Sequence, residues 1–125
     1  MQHYIELQTE EFQLICQLLF SELNIGLAGS ESKIWHGHPV WFLNKNPTTG
    51  FSIQKQGVRL VFWSGADFDE PDLQPGTGKF KDASIFYQSV NDVVVEDLQR
   101  WLQKAQRIQW NYRDIVKNKG VLEKL

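Results

Sequence analysis

A chain of 125 residues, 42% hydrophobic and 22% charged, has ordinary globular usage and can bury one core without disulfide or metal staples, which excludes a disordered or fibrous class. Its formal net charge of −2 argues against a general nucleic-acid binder, which needs a basic surface to displace counterions from phosphates. The single cysteine, Cys16, excludes an internal disulfide, and no stretch approaches the roughly 18 apolar residues of a membrane-spanning helix.

Met1-Gln2-His3-Tyr4-Ile5-Glu6 lacks the basic start and apolar run of a signal peptide, so the expected compartment is the cytoplasm. Thr9 is a candidate N-cap, with Glu10 and Glu11 in the first turn where negative charge suits the helix dipole. Phe12, Ile15, Cys16, Leu19 and Leu23 follow at helical spacing, widened by Leu18 and Phe20, and Gly26 and Gly29 close the segment. The pattern predicts a first helix over about residues 9 to 24.

The next seventy residues change character. Lys33-Ile34-Trp35-His36 and Val40-Trp41-Phe42-Leu43 are strand candidates, separated by Gly37 and Pro39. Asn44 through Gly50, with Pro47, reads as a turn cluster. Phe51-Ser52-Ile53-Gln54-Lys55 alternates with period two, and Gln56-Gly57 turns it into Val58-Arg59-Leu60-Val61-Phe62-Trp63, a hairpin. Residues 64 to 82 form a long polar loop, and Ala83-Ser84-Ile85-Phe86-Tyr87 returns as a strand. From Glu96 the period returns to 3.6. Leu98, Trp101, Leu102, Ala105, Ile108, Tyr112, Ile115 and Val116 trace one face, with Lys117, Lys119 and Gly120 as a C-terminal signature. This predicts a second helix of some twenty residues, about 30 Å long, kinked near Gln109.

Consecutive strands joined by short turns give an antiparallel sheet, and two helices with one apolar face each pack on one side of it. The expected architecture is a single α+β domain over residues 1–125: an N-terminal helix, about five antiparallel strands and a long C-terminal helix. Successive residues of a strand point to opposite faces, so Phe62 and Trp63 cannot both lie under the helices, and the other face is a candidate aromatic surface.

Ile34-Trp35-His36-Gly37-His38-Pro39-Val40-Trp41, Pro75-Gly76-Thr77-Gly78-Lys79-Phe80-Lys81-Asp82-Ala83-Ser84-Ile85, and Trp101-Leu102-Gln103-Lys104-Ala105 with Ile108-Gln109-Trp110 resemble the bacterial YdhG-like family, over roughly residues 9 to 120. The resemblance implies a frataxin-like two-layer α+β sandwich. It also implies an iron-chaperone role in iron–sulfur cluster assembly, as proposed for a member of that family. Frataxin-type iron binding uses an acidic ridge around the first helix, which here carries Glu10, Glu11 and Glu22.

Several groups carry candidate chemistry. His36 and His38, two apart, would share one strand face and could share a metal if that stretch were extended; otherwise they hydrogen-bond around a Gly-Pro turn. Asp67, Asp69, Glu70 and Asp72 concentrate carboxylates suited to a hard cation such as iron, or form a solvated acidic loop. Pro75-Gly76-Thr77-Gly78-Lys79 lacks the leading glycine and the closing Ser or Thr of a phosphate loop, but its backbone N–H groups, with Lys79 and Lys81, could hold an anion. Cys16 on the apolar face reads as a small core hydrophobe. A pair such as His36 with Asp82 could do acid–base work, but no nucleophile, cofactor fingerprint or complete metal set is present. The sequence therefore points to a non-enzymatic ligand-binding or accessory domain, with iron chaperoning as the alternative. Trp41 and Trp63 are the expected apolar walls, and His36, His38, Lys79 and Lys81 the expected polar contacts. The expected partner is a small molecule or a protein, not nucleic acid or a membrane.

Overall fold

The computed structural model describes residues 1–125. A short helix α1 (Gln2–Glu6) leads into α2 (Glu10–Gly26). Then come β1 (Glu31–Trp35), β2 (His38–Leu43), β3 (Asn46–Gln54), β4 (Gly57–Phe62), a two-residue β5 (Gln74–Pro75), β6 (Ala83–Tyr87) and α3 (Val95–Arg107). The sheet has six strands in the order β1-β2-β3-β4-β6-β5, and every neighbouring pair is antiparallel. No helix is long and apolar enough to cross a membrane.

Helix α2 starts where the sequence placed it: the Thr9 hydroxyl accepts the Phe12 amide at 3.4 Å. Its buried residues Ile15, Cys16, Leu19 and Leu23 meet Leu98, Trp101, Leu102 and Ala105 of α3 in one hydrophobic cluster with Trp41, Phe51, Leu60, Phe62 and Tyr87 of the sheet. Both long helices therefore lie on one face of the sheet, as expected. Full burial of each leucine, isoleucine or phenylalanine among them stabilises by roughly 1.5–3 kcal/mol relative to exposure. Gln106 Nε2 donates to the Gly26 carbonyl, joining the last turns of the two helices.

The hairpin turns differ in detail from the sequence reading. His36 and Gly37 both have positive φ (51° and 85°) and form a two-residue turn, so that Trp35 pairs with His38. The stretch through His36 is therefore not extended. Asn44 and Lys45 (φ 51° and 66°) make the second turn, and Asn46–Gly50, expected as a turn cluster, is the first half of β3. Pro47 is tolerated in this interior strand because the register slips beside it: Trp41 faces Thr49 while Phe42 faces Pro47, leaving Thr48 as the extra residue of a bulge.

The largest correction concerns the last helix. It spans 13 residues and ends at Arg107. Residues 108–125 form a turn-rich segment, and two side chains from the sheet region fill its backbone groups. Asn46 Nδ2 donates to the Gln109 side chain and to the Trp110 carbonyl, each at 3.0 Å, and Asn46 Oδ1 accepts the amides of Tyr112 and Arg113, each at 3.0 Å. Ser64 Oγ accepts the Trp110 amide at 2.9 Å. Amides engaged in this way are not free to continue an α-helix, whatever the apolar period suggests. The segment closes on itself where the Leu125 amide donates to the Gln109 carbonyl and the Asn111 amide to Glu123.

The long loop after β4 is docked on α3 through Glu70. Its carboxylate takes Arg100 at 2.7 Å and the Trp101 indole N–H at 2.8 Å, together with the Lys104 ammonium. Lys104 also donates to the Phe68 carbonyl at 2.8 Å, while the Phe68 ring packs on Phe62. The hydrogen bond from Arg100, joined by those from Lys104 and Trp101, holds Glu70 at about 2 against the opposing effect of burial. A carboxyl depressed in the fold contributes stability above its ordinary value, and that stability is lost as pH falls towards about 2. Glu70→Gln is expected to destabilise the protein by about 2 kcal/mol at pH 7. In chemical denaturation the gap between wild type and variant narrows as pH is lowered from 5 towards about 2; a gap independent of pH contradicts the assignment.

Candidate functional site

The sheet face turned away from the helices carries the site. On β2 and β4, alternation sends Trp41, Leu60 and Phe62 into the core and leaves Val40, Arg59 and Val61 on the opposite face. Trp63 continues the β4 alternation one residue past the strand, with its amide on the Thr48 carbonyl at 3.0 Å, and points to the same side as Val61. Gly50 lies between Val40 and Val61 in the register, and a side chain there would approach the Pro39 carbonyl oxygen to 2.5 Å. The open face is thus low along β3.

Segment 108–125 rises over this depression. Tyr112 and Ile115 come from that segment, and Phe80 and Asp82 from the end of the long loop. With His38, Arg59, Val61 and Trp63 they enclose a concavity of about 380 Å³, at the lower end of the sizes that hold small ligands. The Tyr112 hydroxyl donates to the Trp63 carbonyl and accepts the Lys81 amide at 3.0 Å, tying the two sides together. Phe80 and Tyr112 have ring centroids 6.2 Å apart. Burial, reinforced by Asp82 and opposed by the Lys81 hydrogen bond, pushes the Tyr112 phenol up to about 12, so it stays protonated and able to donate.

Three ionisable groups stand in this aromatic frame. Arg59 and Asp82 approach to 3.8 Å, an ion pair beyond hydrogen-bond distance, and both side chains remain partly exposed. Gly76 makes room for Asp82: a Cβ there would lie 2.7 Å from its Oδ2. His38 Nδ1 is buried without a hydrogen-bond partner. Burial, opposed by the Pro39 backbone and aided by the charges of His36 and Arg59, holds the His38 imidazole below its ordinary range, which favours its neutral form.

The expected site residues divide sharply. His38 and Trp63 line the concavity. Trp41 does not: it is fully buried on the helix side of the sheet, its indole N–H on Asn24 Oδ1 at 2.9 Å, and it cannot wall a site on the open face. His36 sits in the turn, its ring 4.3 Å from that of Trp35, and shares no strand face with His38. The Lys79 ammonium lies 5.7 Å from the Phe80 ring and that of Lys81 5.0 Å from the Trp110 ring. The Lys81 amide is taken by Tyr112, so it is not available to an anion, and Gly76 serves Asp82.

Of the acidic loop, Glu70 is spent on α3. Asp67 takes Lys124 at 2.8 Å and the Trp110 indole at 3.3 Å, and Asp69 adopts a turn with φ 58°. Neither these residues with Asp72 nor any other three His, Cys, Asp or Glu side chains gather as a metal-ligand set. Cys16 is buried, and burial raises its thiol to about 12, consistent with a core role. Comparison with protein-family models, curated proteins and solved structures returns no match.

Arg59, Val61, Phe80, Tyr112 and Ile115 were not anticipated. Arg59 did leave a trace, as the one charge in Val58-Arg59-Leu60-Val61-Phe62, at the position whose side chain must face away from the helices. Since the charge of Arg59 helps to lower the His38 imidazole, Arg59→Gln is expected to raise its midpoint while burial keeps it below the ordinary value. A histidine-selective NMR titration measures both midpoints, and an unchanged or lowered midpoint in the variant removes Arg59 from the surroundings of His38.

Proposed function

We propose that the protein is a non-enzymatic binding domain that takes a small molecule in the concavity on the open face of its sheet. One observation supports this reading above the rest: three aromatic rings and three ionisable groups, brought from β2, β4, the long loop and the C-terminal segment, converge on a single depression. Aromatic walls supply apolar contact area, and the few polar groups among them fix a ligand's orientation. None of the lining groups is a poised nucleophile, which favours binding over catalysis. The YdhG-like resemblance fits the same reading, because two of the segments that carry it, Ile34–Trp41 and Pro75–Ile85, supply His38, Phe80 and Asp82 to the rim.

The test is a fragment screen on the full chain by thermal shift, followed by amide and indole NMR mapping. Fragments that raise the melting temperature are expected to move the signals of Val61, Trp63 and Tyr112, and Val61→Trp, which fills the depression, is expected to abolish the response. A screen in which no fragment perturbs these residues rejects the proposal.

A further inference from the structure

Given the binding role proposed above, the lining of the concavity favours one chemical class. Arg59 and Asp82 stand side by side, and no hydrogen bond within the protein engages the guanidinium or the carboxylate. The other docked arginines contrast with this. Arg100 is bound by Glu70 and Asp97, and Arg113 donates to the Asn44 carbonyl and to Asp114. Arg59 thus offers a planar fork of donors, and Asp82 offers acceptors beside it, within one aromatic enclosure.

The two charges cancel, and a neutral His38 adds none. A carboxylate seated on Arg59 would lie within reach of Asp82, and an ammonium seated on Asp82 would lie within reach of Arg59, because the two side chains approach to 3.8 Å. In either case repulsion from the neighbour offsets the attraction. A molecule without net charge that presents a donor next to an acceptor satisfies both groups at once. Trp63, Phe80 and Tyr112 line the concavity with aromatic surface, and a flat, unsaturated body can stack or pack edge-on against such rings where an aliphatic one cannot. The volume accommodates one or two fused rings rather than a large cofactor.

We infer that the concavity binds an uncharged planar nitrogen heterocycle of the amide–amidine type. Its N–H edge donates to Asp82, its adjacent carbonyl or ring nitrogen accepts from Arg59, and its face packs on Trp63, Phe80 and Tyr112. Such an edge makes paired hydrogen bonds to two charged groups, and each is stronger than a neutral–neutral one.

Isothermal titration and NMR on the full chain with three flat probes of similar size test this. Isocytosine carries the donor–acceptor edge, benzoate only an anionic acceptor, and benzamidine only a cationic donor. Isocytosine is expected to shift Val61, Trp63 and Tyr112 and to bind at least about tenfold more tightly than either charged probe. Asp82→Asn and Arg59→Gln are each expected to weaken isocytosine about tenfold without lowering the melting temperature, and Asp82→Asn to improve benzoate. If benzoate or benzamidine binds the same residues as tightly as isocytosine, or if isocytosine ignores both substitutions, the heterocycle assignment is overturned while the binding site stands. If none of the probes nor any screened fragment moves those three residues, the binding reading falls with it.

Discussion

The side-chain amide of Asn46, a residue only 1% exposed, is the constraint on which the site depends. It sits at the first position of β3, immediately after a two-residue turn, and satisfies four groups of the segment that leaves α3. A buried amide left without partners costs about 1–3 kcal/mol, so the segment and the strand hold each other in place. The same bonds that end α3 at Arg107 direct Tyr112 and Ile115 over the open face. Without them the face would be a shallow aromatic surface with no second wall.

Two further contacts reinforce this arrangement from the long loop. Ser64 takes the Trp110 amide at the start of the loop, and the Tyr112 hydroxyl receives the Lys81 amide at its end. Between those points Glu70 anchors the loop to α3. Two of the carboxylates that looked like a cation site in the sequence, Asp67 and Glu70, therefore act as docking points, and a glycine-rich turn that looked like an anion cradle gives Asp82 its room. Both cases follow from the same physics: a polar side chain in a docked loop is claimed first by the nearest unsatisfied donor or backbone group.

The helix faces and the strand alternation were legible because they are local periodicities. Thr9, Ile15, Cys16, Leu19 and Leu23 specify α2, and Phe51–Ile53 with Val58–Phe62 specify the central hairpin. Alternation also foretold that Phe62 and Trp63 would part company, and two of the expected contact residues, His38 and Trp63, do line the concavity. Trp41 was misassigned because neither composition nor spacing reveals which of two faces a tryptophan takes; here Asn24 of α2 offers the partner its indole N–H needs, on the helix side. Ile108, Tyr112, Ile115 and Val116 kept a helical period yet formed no helix, since Asn46 and Ser64, far upstream in the chain, compete for the backbone of this segment, and a window of neighbours cannot register that competition. The break at Gly37 was legible, but His36 was read as the last residue of the strand before it; its place in a two-residue turn with positive φ becomes evident only from the pairing of Trp35 with His38.

Amide hydrogen exchange of the Asn46→Ala protein addresses the central claim most directly. The account predicts that the amides of Tyr112 and Arg113 exchange at least about tenfold faster than in the wild type, the consequence of losing their shared acceptor, and that the Val61 and Trp63 signals shift as the wall over them loosens, while Leu19 and Leu102 in the helical core stay protected. Unchanged protection at Tyr112 and Arg113, with Val61 and Trp63 unmoved, would contradict it.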